Sequence, residues 1–236
     1  MSDQIEGHIL HYIDEELRSL QTLIAKMAEL VFSQLSQSLE SLKKVDRNLA
    51  EQVVQREREV NQLEVAADSM ILNIMARFCP VAGDLRFVMI TSKIINDLER
   101  IGDEAAKIAN FALFLHADSN NHDPATYPLA DVYAVGDLAI ITLQHALQAV
   151  AESDSAKAKV IIYDHKALDD QFKASVHRLM NGAQPKTDYQ VSHSVRVVLM
   201  LKALERVGDH AQNLAESVIF LVTGEDVRHR FPDFDE

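Results

Sequence analysis

A chain of 236 residues with net charge −13, one cysteine, no tryptophan, seven glycines and five prolines reads as helical, aliphatically packed and free of internal disulfides. Its acidity repels phosphate backbones and anionic lipid, so no nucleic acid partner is expected, and any membrane association should be indirect, through protein. No signal-like N-terminus and no apolar run of about 20 residues is seen, which with the lone thiol predicts a reducing, cytoplasmic setting.

Apolar periodicity predicts six long helices, roughly 12–43, 47–78, 84–116, 129–152, 155–181 and 188–222. In the first, Leu17, Leu20, Ile24, Met27, Leu30, Val31, Leu35 and Leu42 recur at three- and four-residue steps and mark one apolar face. At 1.5 Å per residue, helices of about 30 residues are about 45 Å long, which suits an elongated antiparallel three-helix bundle in each half. No segment alternates like a strand, so no sheet is expected. The polar stretch 116–128, with Pro124 and Pro128, breaks every pattern and predicts a boundary. The expected organisation is a first bundle over 1–116, a linker over 117–128, a second bundle over 129–223 and an acidic tail over 224–236. Pro80 and Pro185 occupy matching places between long helical runs.

The two halves share a phrase. Residues 98–109 read LERIGDEAAKIA and residues 204–215 read LERVGDHAQNLA, with Glu99 and Glu205, Gly102 and Gly208, and Asp103 and Asp209 each 106 positions apart. The repeat argues for a duplicated unit. Glu99 and Asp103 are i,i+4 neighbours, as are Glu205 and Asp209, so each pair leaves one helix face. Like charges at that spacing repel unless a cation lies between them, and Arg100 and Arg206 stand ready to supply it. In the second copy Asn213 and Glu216 continue the oxygen ladder, while Lys107 and Asn110 interrupt the first. Such a face is either a salt-bridged, partly solvated surface or a site for a hard cation. A mid-helix glycine costs about 1 kcal/mol relative to alanine. Gly102 and Gly208 therefore mark either close helix packing or room beside the carboxylates.

Other features narrow the chemistry. No Glu-x-x-His pair and no Gly-x-x-x-x-Gly-Lys-Ser/Thr loop occurs, so neither a ferritin-type di-iron centre nor that nucleotide cradle is expected. Cys79 is expected to be an ordinary, partly buried thiol. Asp84 suits the first turn of its helix, and Arg86 reads as a partner contact or a bridge to the opposing bundle.

Taken with His8 and IDEEL (13–17), VNQLEVAAD (60–68), PVAGDLR (80–86), Tyr163 through Phe172 and TGEDVRH (223–229), the paired LER-GD phrases make the chain resemble the PhoU family nearly end to end. The resemblance implies an all-α fold of two tandem three-helix bundles related by pseudo-two-fold symmetry, commonly as a homodimer. It implies no catalysis but negative regulation of the phosphate-starvation response. The expected role is an adaptor between the ATPase subunit of a phosphate ABC transporter and a sensor histidine kinase.

The resemblance also implies multinuclear iron, zinc or another divalent metal on Glu99, Asp103, Glu205, Asp209, Asn213 and Glu216, with Glu57, Asn61 and Asp169 on the middle helices as further ligands. The chain departs from the family pattern at Lys107, where fuller motifs carry Asn, at His165, where Asp is expected, and at Gly83, where a small hydroxyl residue precedes Asp84. Lys107 predicts that the second half holds metal more tightly than the first. The alternative function is a metal-dependent helical enzyme or a phosphate-sensing metal centre, and it rests on the acidic ladders alone.

Overall fold

The structure, a computed structural model, describes residues 2–118, 129–182 and 188–228. Pro124, Pro128, Pro185 and residues 229–236 of the expected tail lie outside the described residues. Within them are six helices and no strand: α1 (Ser2–Lys44), α2 (Arg47–Phe78), α3 (Ala82–Asp118), α4 (Ala130–Glu152), α5 (Ser155–Gly182) and α6 (Asp188–Thr223). The chief difference from the sequence reading is α1, which begins ten residues early.

The joint between the first and second helix is built the same way in both halves. Val45 (φ 52°) and Ser153 (φ 49°) take the left-handed conformation that ends α1 and α4. The next residue is an aspartate that caps the following helix. Asp46 Oδ1 accepts from Leu49 N at 3.1 Å, and Asp154 Oδ1 accepts from Ala156 N at 2.8 Å and Lys157 N at 3.2 Å. A stop followed directly by a cap leaves no loop to spare, so consecutive helices must turn back antiparallel.

The helices α1, α2 and α3 pack on one another, as do α4, α5 and α6, giving tandem helical bundles. In α2 the stripe Val53, Val60, Ala67, Ile74 is buried at seven-residue spacing, the repeat of helices packed nearly parallel to their neighbours. The bundles share one continuous core because α3 packs along α6 and α1 touches α4. At the α1–α4 contact a Cβ on Gly136 would lie 2.8 Å from Leu39 Cδ2, so only glycine lets these helices approach so closely.

Two expectations are corrected here. Cys79 is exposed, because it forms the left-handed cap of α2 (φ 45°) and its side chain points away from the core while Pro80 is buried. Helix α4, at 23 residues and a mean hydropathy of 1.3 over its most apolar window, is long and apolar enough to cross a membrane by length and composition alone. Its stripe Val132, Val135, Ala139, Leu143, Ala146 and Ala149 is buried in this fold.

Candidate functional site

Both LER-GD phrases lie mid-helix, on α3 and α6, where the two bundles meet. Asp97 faces His210 and Asn213, Glu104 faces Arg206, and Phe114 faces Arg196. The numbers rise on one helix as they fall on the other. The helices therefore cross antiparallel, with Gly102 and Gly208 at the centre.

Packing bears on the two glycines unequally, tightly at Gly208 and only by ordinary contact at Gly102. A Cβ on Gly102 would sit 3.4 Å from Val60 Cγ1 and from Gln34 Oε1, and one on Gly208 would sit 3.1 Å from a Leu168 methyl and 3.4 Å from His165 Cδ2. Val60 of α2 and Leu168 and His165 of α5 occupy the space beside these glycines.

In the first half Arg100 supplies the expected cation, with Nε 3.3 Å from Glu99 Oε2 and a guanidinium nitrogen 3.5 Å from Asp103 Oδ2. The first contact is electrostatic only. Its geometry is not that of a hydrogen bond, and Glu99 Oε2 is buried without a hydrogen-bond partner among the described residues. Burial raises the proton affinity of Glu99 above the usual glutamate range, and Asp103 adds to the rise. Arg100 opposes it, while Glu64 and Glu57 reach across from α2 and reinforce it. Asn61 is exposed on the same helix.

The second half is wired differently. Arg206 does not bridge Glu205 and Asp209 as expected; it crosses the seam to Glu104 at 3.1 Å. Lys202 takes Glu205 instead. Asp209 Oδ1 lies 3.0 Å from His165 Nε2, so the imidazole that replaces the expected Asp partners this carboxylate. Asn213 Nδ2 donates to Asp97 at 3.0 Å, Glu216 accepts from Gln212 at 2.9 Å, and Asp169 is paired with Lys173 at 2.8 Å. Asn213 and Glu216 thus leave the Glu205–Asp209 face and line a cavity of about 550 Å³ with Asp97, Lys93, Asp226 and Arg228. In that cavity the Arg228 guanidinium holds Asp226 well below the usual carboxylate range.

A hard cation needs several oxygens converging at one point. Among the described residues no three His, Cys, Asp or Glu side chains are grouped to hold one. The donors of neither half, as arranged, fit a multinuclear centre. The expected handicap at Lys107 has a different basis from the one assumed. Its Nζ lies 2.9 Å from Glu104 Oε1, so its charge serves that buried carboxylate.

Sequence reasoning missed Asp97 and Glu104, the two carboxylates that join the bundles. Glu104 is only 2% exposed and has two cations on one oxygen, Lys107 and Arg206. The signal was present: Asp97, Ile101, Glu104 and Ile108 share one helical stripe, so two carboxylates occupy core positions. Arg86 crosses to the end of α6, where its guanidinium occupies the space that a side chain on Gly224 (φ +74°) would need. A cation against the C-terminal end of a helix is favourable, which suits the bridge to the opposing bundle.

Two segments, 24–112 and 132–218, match the family model described as the PhoU domain. The chain is 35% identical to the phosphate-specific transport system accessory protein PhoU homolog of a Burkholderia species, over 97% of this chain and 96% of that protein. It is 35% identical to the phosphate-specific transport system accessory protein PhoU of Escherichia coli K12, over 95% of this chain and 91% of that protein. The crystal structure of PhoU from Pseudomonas aeruginosa matches with a TM-score of 0.81 at 32% identity, covering 90% of this chain and 99% of that one.

Proposed function

The chain belongs to the PhoU family, and from that premise we propose that it is a regulatory accessory protein of high-affinity phosphate uptake that represses the phosphate-starvation response. It acts in the cytoplasm as a homodimeric adaptor, contacting the ATPase subunit of the phosphate transporter and a sensor histidine kinase, and meets the membrane only through these proteins. The observation that carries this reading is kinship over nearly the whole chain with accessory proteins of phosphate-specific transport. The geometry is in keeping with an adaptor. Charged groups along α3 and α6 are spent on one another, which joins the two bundles, rather than arranged around a reacting centre.

The test is genetic and then biochemical. Deleting the gene should leave an alkaline phosphatase reporter switched on in phosphate-rich medium; a reporter that stays repressed would overturn the regulatory reading. Direct contact is tested by co-purification with the cytoplasmic part of the kinase and with the ATPase subunit. Failure of both would overturn the adaptor role.

One observation favours a second reading, in which the first half holds a single divalent cation: the buried, unpartnered Glu99 Oε2 beside Asp103. Elemental analysis of protein purified without chelator or affinity metal decides it. Metal that disappears in Glu99→Gln supports the reading, and a metal-free parent removes it.

A further inference from the structure

The antiparallel crossing of α3 and α6 leaves a groove at each end of the seam. The first is the 550 Å³ cavity described above; the second, of about 430 Å³, lies between the later part of α3 and the earlier part of α6. Because α3 and α6 are copies 106 residues apart, part of their linings corresponds position for position. Ile90, Asn96 and Asn213 of the first groove stand where Arg196, Lys202 and Lys107 stand in the second. Each of these three differences adds a positive charge, and the second groove also lacks counterparts of Asp97 and Glu216, while Leu199 stands where the first groove has Lys93. The backbone framework is shared, so the divergence lies in the side chains.

The second groove is consequently basic on a chain of net charge −13. Lys107, Arg196, Lys202 and Arg206 line it; Lys107 and Arg206 share the buried Glu104 and Lys202 holds Glu205, so four cations stand against two carboxylates. Its floor is apolar, with Phe111 and Met200. Arg196 lies 3.8 Å over the Phe114 ring, and its Nε is buried with no hydrogen-bond partner among the described residues. An apolar track leads out of the groove along α6. Leu199 (63% exposed), Val195 (52%) and Val191 are four residues apart, and an adjoining hollow of about 290 Å³ opens between them and Met180 of α5. Eight residues of α6 make this track about 12 Å long, more than two helical turns.

We propose that this groove and track dock an acidic, amphipathic helical segment of a partner protein. A stripe of large apolar side chains fills the track while flanking carboxylates meet the positive charge left in excess of Glu104 and Glu205, Arg196 above all, the mode in which a helix lies in a groove. Charge complementarity selects this occupant over a basic or neutral helix. The concave shape and the overall negative charge weigh against an anionic lipid surface. The inference goes beyond the proposed function, since it commits to the chemistry of a partner and holds whichever protein supplies the helix.

The test uses the full chain and a fluorescently labelled 18-residue synthetic helix with leucines at i, i+4, i+7 and i+11 and glutamates flanking that stripe. A control peptide carries lysine in place of each glutamate. The acidic peptide should bind at least tenfold more tightly than the basic one, and added salt should weaken it. Leu199→Glu, at an exposed position, should weaken the acidic peptide at least tenfold with an unchanged thermal midpoint, and Leu199→Lys should weaken it less. Equal binding of the two peptides, or no effect of Leu199→Glu, overturns the proposal. So does dissociation of a parent dimer by Leu199→Glu in sedimentation, which would assign the face to a second copy. Leu199-dependent binding to phosphatidylglycerol vesicles without peptide binding would assign it to a membrane and also overturn it.

Discussion

Three glycines give a sharp test of whether packing alone explains their retention. Replacing a mid-helix glycine by alanine gains about 1 kcal/mol of helix propensity, and what the new methyl meets decides the sign. At Gly102 the nearest atoms, Val60 Cγ1 and Gln34 Oε1, are at 3.4 Å, an ordinary contact. Gly102→Ala should therefore stabilise the fold by roughly 0.5–1 kcal/mol. At Gly208 the Leu168 methyls stand at 3.1 and 3.2 Å and must give by a few tenths of an ångström, so the gain and the strain should nearly cancel. At Gly136 the Leu39 methyls are at 2.8 and 3.0 Å on a fully packed side chain. Overpacking of about 1–3 kcal/mol should then outweigh the propensity gain. With about 2–4 °C per kcal/mol for a chain of this size, Gly102→Ala should raise the thermal midpoint slightly and Gly136→Ala should lower it. Urea titrations followed by circular dichroism give the free energies. A loss above about 1 kcal/mol in Gly102→Ala, or a gain in Gly136→Ala, would refute the reasoning. The first result would mean that α1 and α2 pack on Gly102 more tightly than these distances show.

Arg206→Ala removes one of two cations from buried Glu104 and should destabilise the protein by about 2 kcal/mol, the scale of a charged hydrogen bond. The apolar double replacement Glu104→Leu with Arg206→Met should recover most of that in urea titration, and no recovery would count against the pairing. Burial first and Asp103 second raise the proton affinity of Glu99, so the native state binds its proton more tightly than the unfolded chain does. Stability should accordingly fall as pH rises from the ordinary glutamate value through the higher native one. Glu99→Gln, with chelator present, should be more stable than the parent at pH 7, and the difference should vanish below the ordinary glutamate range. An advantage that is independent of pH would contradict this. Cys79, the single cysteine, is exposed and should react with a thiol reagent in the native protein at one equivalent per chain. Labelling that requires denaturant would show it buried.

The local rules settled the helices. Apolar spacing, scarce glycine and proline, and the capping aspartates Asp46 and Asp154 each act within a few residues, so five of the six helices begin where the sequence places them, to within two residues. The repeated phrase likewise announced a duplicated unit, and carboxylates at the core positions 97 and 104 could have announced a polar seam. Which cation meets which carboxylate could not be read this way. Arg100 and Arg206 occupy identical places in the repeat, yet one stays on its own helix and the other crosses to the opposite bundle. That choice depends on Glu104 being buried directly across the seam, a distance set by how α3 packs on α6. The same holds for the two grooves. Lys107 and Arg196 are 89 residues apart in the chain, and only the antiparallel crossing places them around one cavity. Helix propensity and caps are encoded locally, whereas the pairing of charges follows the geometry of helices brought together from opposite halves of the chain.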